Sequence, residues 1–352
     1  MHAPAVKPSP PPPQPPAPPQ PRLTACVDIG GTKVVVALAN AQSQHTLQLY
    51  ARQTEPTVKA GQPDALAQQI LKLVANSAII MGVERSQINS ICISSCGPFV
   101  IDSGKLALAA PNICGGLAGA AYGLQNLGLQ NPSLPNDWTH LPLQAQLEQH
   151  FAHVHIENDA VAALQAERRW GALQGFDHCA YVTWSTGIGV GLCIDGRVLR
   201  GKNGNAGHAG HMFVSNDKSG LTEALCGCGN VGDVEGLVAG NAIERRFGQD
   251  ANTLLSSSGS TQAVDALCRD LGRMLYNLVI TLDLQRICLG GSVFWHHQDL
   301  LLPKLQAQLT GKLPSLTDGC TLVPAGLGLQ VGELAALALT QFTPLTPEAT
   351  SE

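Results

Sequence analysis

Four short stretches of the sequence carry residue types that do chemistry when brought together. The first is Asp28-Ile29-Gly30-Gly31-Thr32-Lys33. Two adjacent glycines let backbone N–H groups approach an anion, Thr32 adds a hydroxyl donor, and Asp28 at a strand end can hold a hydrated Mg²⁺. A Gly-Gly pair between strands is also an ordinary tight turn. The second stretch is Trp184-Ser185-Thr186-Gly187-Ile188-Gly189-Val190-Gly191, another glycine-dense strand-turn-strand. Two such hairpins in different halves of a chain, facing each other, would grip a polyphosphate from both sides. Neither has the spacing G-x-x-x-x-G-K-[ST], so the chain is not a P-loop protein.

The third stretch is Glu157-Asn158-Asp159, at a strand end just before a helix. Asp159 there either caps the helix or stands at the mouth of a cleft as a general base, and position alone does not separate the two. An aspartate accepting an alcohol proton beside a bound phosphate is what phosphoryl transfer to a hydroxyl requires. The fourth runs from Gly207-His208-Ala209-Gly210-His211 to Cys226-Gly227-Cys228 and on to Asp233-Val234-Glu235. A histidine and two thiolates are three ligands of the kind Zn²⁺ takes, with Asp233 as a candidate fourth, oxygen ligand. The competing reading is a glycine-rich loop with buried thiols and a surface His208.

These stretches need a scaffold. Leu23–Asp28, Lys33–Ala39 and His45–Arg52 read as three strands, residues 62–83 as an amphipathic helix through Leu66, Ile70, Leu71 and Val74, and Ile88–Ser95 as a fourth strand. That order makes a mixed-sheet α/β unit. A second unit begins near Leu141 with a short helix. It continues through strand Val154–Glu157, helix Ala160–Trp170, strands Cys179–Thr186 and Val190–Ile194, helix Asp265–Leu282 and strand Arg286–Leu289, and ends in the alanine-rich helix Gly332–Thr340. Two similar halves with a cleft between them is the simplest architecture. Residues 1–22 hold 11 of the 23 prolines and read as an extended or disordered tail. Residues 115–137, rich in Gly, Asn, Leu and Pro, read as a surface insertion.

Composition narrows the function classes. The 352 residues suffice for about two domains. Twenty-one Lys+Arg against 26 Asp+Glu give a net charge of −5, which argues against a nucleic-acid protein held by its overall charge. No apolar run reaches the ~20 residues that span a bilayer. An odd count of 11 cysteines, mostly inside apolar segments, fits reduced thiols in a cytoplasmic protein, and only Cys226 and Cys228 are spaced for a metal.

In order and spacing these motifs resemble the ROK family of sugar kinases and sugar-responsive repressors, over nearly everything from Ala25 to about residue 340. The resemblance implies the two-lobed actin-like ATPase fold, related to ribonuclease H, closing over a hexose and ATP. It implies a proline-rich tail at 1–22, a small lobe from 23–141 with 327–344, and a large lobe from 142–326 carrying a zinc loop. Asp28, Gly30, Gly31, Thr32 and Lys33 are similar to the family's first phosphate motif, and Thr186 and Gly187 belong to the second. Gly290 and Gly291 resemble its adenosine-side segment. Pro111-Asn112 resembles a sugar-contacting pair, and Trp138…Pro142-Leu143, which normally follows closely, comes some 25 residues later, in keeping with an insertion. Glu157-Asn158-Asp159-Ala160 looks like the motif whose aspartate, here Asp159, is the catalytic base. The sugar contacts implied are Asn112, Asn158, His208, His211 and Glu235, and the zinc ligands His211, Cys226 and Cys228.

The chain departs from the family pattern at three places. Asp233 stands where the family has a third zinc cysteine, so zinc binding should be weaker or lost. His208 replaces the usual acidic sugar contact, as it does in bacterial N-acetylmannosamine kinases. The spacer from His211 to Cys226 is a few residues longer than usual. The expected activity is transfer of the ATP γ-phosphate to the 6-hydroxyl of a hexose, glucose first and N-acetylmannosamine close behind, with Mg²⁺. The partners expected are the sugar and ATP, without nucleic acid or membrane, and dimerisation is common in the family. A sugar-responsive regulator or a sugar-binding protein without catalysis would keep the same sugar pocket. The first should carry a DNA-binding helix-turn-helix before Asp28, where only the proline-rich tail stands.

Overall fold

The computed structural model describes residues 23–40, 47–117, 134–214, 224–257 and 259–341. The proline-rich 1–22, residues 118–133 of the insertion, the 215–223 spacer and residues 342–344 lie outside the described residues. The elements run β1 (Leu23–Ile29), β2 (Lys33–Asn40), β3 (Tyr50–Pro56), α1 (Ala65–Met81), β4 (Ile88–Ser95), β5 (Phe99–Asp102), β6 (Lys105–Leu108), α2 (Leu143–Leu147), β7 (His153–Asn158) and α3 (Asp159–Trp170). They continue with β8 (Cys179–Trp184), β9 (Ile188–Ile194), β10 (Arg197–Val198), α4 (Val234–Val238), α5 (Gly240–Phe247), α6 (Ala251–Ser256) and α7 (Thr261–Leu282). The last are β11 (Arg286–Gly290), α8 (Ser292–Trp295), α9 (Gln298–Leu309), α10 (Pro314–Thr317), β12 (Thr321–Pro324) and α11 (Val331–Ala338).

Two five-stranded sheets organise the chain, in the orders β3-β2-β1-β4-β7 and β10-β9-β8-β11-β12. In each, the first three strands in sequence pair antiparallel and the last two add in parallel. The two sheets are therefore two copies of one topology, which is the mixed α/β duplication expected from the motifs. Alternation along the strands divides the first sheet into two faces. Ala25, Val27, Ile29, Ile91 and Ile93 pack with Leu66, Ile70 and Leu73 of α1 and Leu143 of α2. The intervening Cys26 and Cys92 pack instead against Ala166 and Leu334, or Ala162 and Ala335, of α3 and α11.

α3 and α11 pack on each other and lie between the sheets: α11 contacts β1 and β4, and α3 contacts β8 and β9. Alanines at 160, 162, 163 and 166 let α3 approach closely; a side chain at Gly191 of β9 would run into the Ala160 carbonyl, 2.5 Å away. The end of α3 is tied down by Glu167, a fully buried carboxylate that accepts the amides of Ala172 (2.7 Å), Gly326 (3.0 Å) and Leu327 (2.9 Å). Three donors offset the burial of its charge.

Two expectations are corrected. The third strand is Tyr50–Pro56, shifted from the expected His45–Arg52, whose residues 45–46 lie outside the described residues. It is an edge strand with alternating exposure, set by pairing Lys33 with Pro56 and Val35 with Thr54, and that pairing leaves no trace in its own composition. The expected large lobe begins at 142, yet β7 is the fifth strand of the first sheet, paired with β4 from Ser90–His153 to Ser95–Asn158. α2 lies on the same side, with Leu143, Leu147 and Phe151 in the first sheet's core. The crossover between the sheets is α3. Sequence periodicity shows that 153–158 is a strand but not which sheet it joins.

Candidate active site

The end of β7 and the start of α3 put two adjacent polar residues into different jobs. Asn158 is the helix N-cap: its Oδ1 accepts the amides of Ala160 (3.0 Å) and Val161 (3.4 Å). Asp159 is thus the first helical residue rather than the cap, and its carboxylate is left for other work. It accepts the Ala160 amide at 2.8 Å. Burial pushes the Asp159 carboxyl up to about 6; the Ala160 amide and Asn158 oppose this, and Glu235 adds to it. A carboxylate in that range still ionises at neutral pH and is basic enough to accept a hydroxyl proton.

Asp28, the penultimate residue of β1, lies close enough to Asp159 for the two charges to interact. Burial and the neighbouring Asp159 push it up to about 7, with Lys33 opposing. A carboxylate raised by a neighbouring carboxylate suits a bound divalent cation, which would relieve the repulsion. Beyond Asp28 the first hairpin is closed by Gly30 N to the Lys33 carbonyl (2.9 Å) and fastened by Thr57, whose hydroxyl donates to the Gly30 carbonyl (2.7 Å). Thr32 and Lys33 are exposed at its tip. Gly31 has no room for a side chain, because a Cβ there would collide with the Asn112 side-chain amide.

The second hairpin repeats this arrangement with a different neighbour. Thr186 is exposed at its tip, and Ser185 N bonds the Gly187 carbonyl at 3.1 Å. The Ile188 amide donates to Glu235 Oε2 at 3.0 Å, and a Cβ on Gly187 would sit 2.8 Å from that oxygen. Gly189 faces Asp159, with its Cβ position 4.0 Å from Oδ1. Gly291, at φ +88, lies against the Trp184 carbonyl. Gly290-Gly291 therefore border this hairpin rather than the Asn112 side.

His208 and His211 flank a short 3₁₀ turn, their rings stacked with centroids 6.2 Å apart. His208 Nδ1 lies 3.0 Å from the Asn205 carbonyl. A carbonyl oxygen only accepts, so Nδ1 carries the proton. Burial lowers the pKa of His208, which keeps the ring neutral and leaves Nε2 as an acceptor. That nitrogen faces Gly97, whose Cβ position is 3.2 Å from it and 3.4 Å from Asn158 Nδ2.

His211, Cys226, Cys228 and Asp233 bring one ligand atom each within 4.8 Å of one another. His211 Nδ1 is 3.3 Å from Asp233 Oδ2 and 3.6 Å from Cys226 Sγ, and Cys228 Sγ is 3.5 Å from Asp233 Oδ2. A tetrahedral Zn²⁺ with one nitrogen, one oxygen and two sulfur ligands needs edges of about 3.3–3.8 Å. The cluster also asks for positive charge. Asp233, and after it Cys228, raise the His211 imidazole to about 10, so without a metal a proton on His211 balances the anions. The donor set and spacing fit zinc. Asp233 has a second task, since its Oδ1 caps α4 through the Gly236 amide at 2.8 Å.

Several residues that motif patterns do not mark border the candidate site through Asn112, Glu157 and His208. Cys96, read with the buried thiols, is half-buried, and its Sγ stands 4.0 Å from Asn112 Oδ1. The cysteines are all unpaired. Arg200 pairs with Glu157, and Asn205 bonds the Phe99 backbone. None sits in a pattern that announces chemistry; each is found only through what it touches. Among the described residues no helix is long and apolar enough to cross a membrane.

The ROK family profile matches residues 24–342. An N-acetylmannosamine kinase from Escherichia coli O9:H4 (strain HS) is 31% identical over 283 residues, which is 77% of this chain and 83% of that protein. Among solved structures, a ROK hexokinase from Thermus thermophilus superposes with TM-score 0.65 at 28% identity, covering 90% of this chain and 97% of that one. A ROK glucokinase from Streptomyces griseus in complex with glucose and AMPPNP gives TM-score 0.65 at 25% identity, covering 90% and 98%. The strand orders, the paired hairpins and these similarities agree: the chain belongs to the ROK family and has its two-lobed actin-like ATPase fold.

Proposed function

We propose that the protein is an ATP-dependent hexose kinase that moves the γ-phosphate to the sugar 6-hydroxyl, with Asp159 as general base. The observation that carries this is the division of labour at the α3 start. Asn158 caps the helix, and Asp159 is held buried, raised to about 6 and opposite Gly189 of the second hairpin. Asp159 takes the hydroxyl proton as the oxygen attacks phosphorus. Gly30 closes the first turn with its own amide, and the amides of Gly31 and Gly187, with the hydroxyls of Thr32 and Thr186 and the ammonium of Lys33, hold the phosphates. Most of the rate then comes from positioning and preset dipoles. Asp28 would hold Mg²⁺, which supplies charge neutralisation when bound. Gly290 and Gly291 border the adenosine side. A Zn²⁺ on His211, Cys226, Cys228 and Asp233 would tie the turn that carries His211 to the start of α4, which carries Glu235.

The sugar would lie among Asn112, Asn158, His208, His211 and Glu235. His211 turns Nδ1 to the cysteines and leaves Nε2 for the sugar. The name of the curated relative supports N-acetylmannosamine ahead of glucose, the reverse of the order expected from sequence. His208 is compatible with both: its acceptor Nε2 can receive a hydroxyl or an acetamido N–H. A coupled ADP-release assay over glucose, mannose, N-acetylglucosamine and N-acetylmannosamine tests the proposal. Turnover of one of them at least tenfold above the others is expected, and no turnover of any hexose would refute it.

A further inference from the structure

The segment between β10 and the 208–211 turn follows the second sheet's first strands in the chain, yet Arg200 and Asn205 bond residues of the first half, Glu157 of β7 and Phe99 of the two-stranded β5–β6 hairpin. Arg200 Nε donates to Glu157 Oε2 at 2.8 Å, and Glu157, only 3% exposed, immediately precedes Asn158. Asn205 makes a two-way clamp on one residue of the β5–β6 hairpin. The Phe99 amide donates to its Oδ1 at 2.8 Å, and its Nδ2 donates to the Phe99 carbonyl at 2.7 Å. The side-chain amide thus substitutes for a paired strand. The same residue's main-chain carbonyl takes the proton of His208 Nδ1 at 3.0 Å. Two residues before Phe99, Gly97 lies under the far edge of that imidazole.

We propose that Asn205 is the positioning residue of the sugar pocket: by holding the Phe99 backbone through its side chain and His208 Nδ1 through its carbonyl, it locks the imidazole across the two lobes with Nε2 presented as an acceptor. This rests on the reading of His208 as a sugar contact. A side chain such as alanine at 205 removes both clamp bonds and frees the carbonyl that fixes the ring. The sugar side of the cleft then loses order while the phosphate hairpins, which Asn205 does not touch, keep theirs.

The test uses the full chain and two readouts. In ¹⁵N spectra of the histidine rings, the resonance lost in His208→Ala identifies His208, which should show a single Nδ1–H tautomer in the wild type and a mixture in Asn205→Ala. In kinetics, Asn205→Ala should raise the KM of the preferred sugar about tenfold and leave kcat and the ATP KM within about threefold. In a His208→Ala background, Asn205→Ala should add nothing to the sugar KM, since the two act through one ring. Asn205→Asp keeps the acceptor for the Phe99 amide and places a carboxylate against its carbonyl, so it should fall between, should Asn205→Ala fold poorly. Lys202→Ala, exposed on the same loop, should change neither readout. An unchanged His208 tautomer, or a full additional KM effect in the His208→Ala background, overturns the proposal. A wild type that turns over no hexose sinks the kinase reading instead, and the tautomer measurement still decides the role of Asn205.

Discussion

The two five-stranded sheets share strand order and direction, and each sends a glycine hairpin from its first to its second strand. What each hairpin leans on differs. The first packs Gly31 on Asn112 by shape alone, whereas the second donates the Ile188 amide to the Glu235 carboxylate. The fifth strands diverge further. β7 ends in Glu157-Asn158-Asp159 and runs into α3; β12 ends at Pro324 and passes through Ala325 and Gly326 toward α11. Asp28, the penultimate residue of β1, has the neutral Thr183 at the matching place in β8. Each copy has a glycine hairpin and a packed helix after its fifth strand. At these strand ends only the first copy carries carboxylates, Asp28 and Asp159, so the proposed acid–base chemistry should be one-sided while phosphate binding is shared.

The largest effect should come from the carboxylate side. Asp159→Asn is expected to lower kcat by about 10²–10⁴-fold with the fold intact. The wild-type kcat/KM should be flat above pH about 6 and fall below it, because the Asp159 base form is lost as protons bind. A pH–rate profile that stays flat to pH 4.5 would remove Asp159 from the base role. Asp28→Asn should cost about 10²-fold and Thr183→Ala no more than about threefold. Equal losses at those two positions would break the claim that the copies divided their chemistry.

Among the described residues the His211–Cys226–Cys228–Asp233 cluster belongs to the second copy alone. Asp233→Cys should slow zinc loss to a chelator by about 10–100-fold, the scale by which ligand-shell changes move metal affinity. It should also cost about 1 kcal/mol of stability through the lost α4 cap. Asp233→Asn keeps the cap oxygen and loses the anionic ligand, so it should release zinc faster with less change in melting temperature. If both variants held zinc as the wild type does, Asp233 would be a cap only.

Glycine substitutions sharpen the comparison at about the tenfold level. Gly31→Ala must displace Asn112, so steady-state kinetics should show a higher sugar KM. Gly187→Ala pushes on Glu235 Oε2 and the Ile188 amide together and should raise the sugar and ATP KM values in parallel. The smallest effect is on stability. The folded Asp159 pKa lies above its unfolded value, so the ionised group destabilises the fold, and stability falls as pH rises from about 4 to about 6. Asp159→Asn should therefore melt higher at pH 7, by on the order of 1–3 kcal/mol. A lower melting temperature would show that the charge is better compensated than burial suggests.

Much of the site was legible in the sequence because backbone-defined chemistry leaves local marks. Gly30-Gly31 and the 185–191 run announce themselves as tight turns, Asn158-Asp159 as a strand-to-helix junction, and Cys226-x-Cys228 as a thiolate pair. The strands and helices expected from periodicity mostly begin and end within a few residues of their expected bounds, whereas β5, β6, α5, α6, α9 and β12 are not among them. What was not legible depends on residues distant in sequence. Whether Asn158 or Asp159 caps α3 is decided by backbone angles at the junction. That Glu235 meets Gly187, or that Asn112 meets Gly31, depends on how each half folds back on itself across about 50 and about 80 residues.

The sequence by itself determined the two glycine hairpins, the carboxylate at the head of α3, the metal-ligand set and the alternation that gives each sheet two faces, since all of these are set by residue type and short-range spacing. The tertiary structure alone decided that β7 completes the first sheet, that Asp233 serves helix and metal cluster at once, and that Asn205 reaches across to Phe99. Strand order and cross-lobe hydrogen bonds are settled by which surfaces bury each other, and no local pattern encodes that.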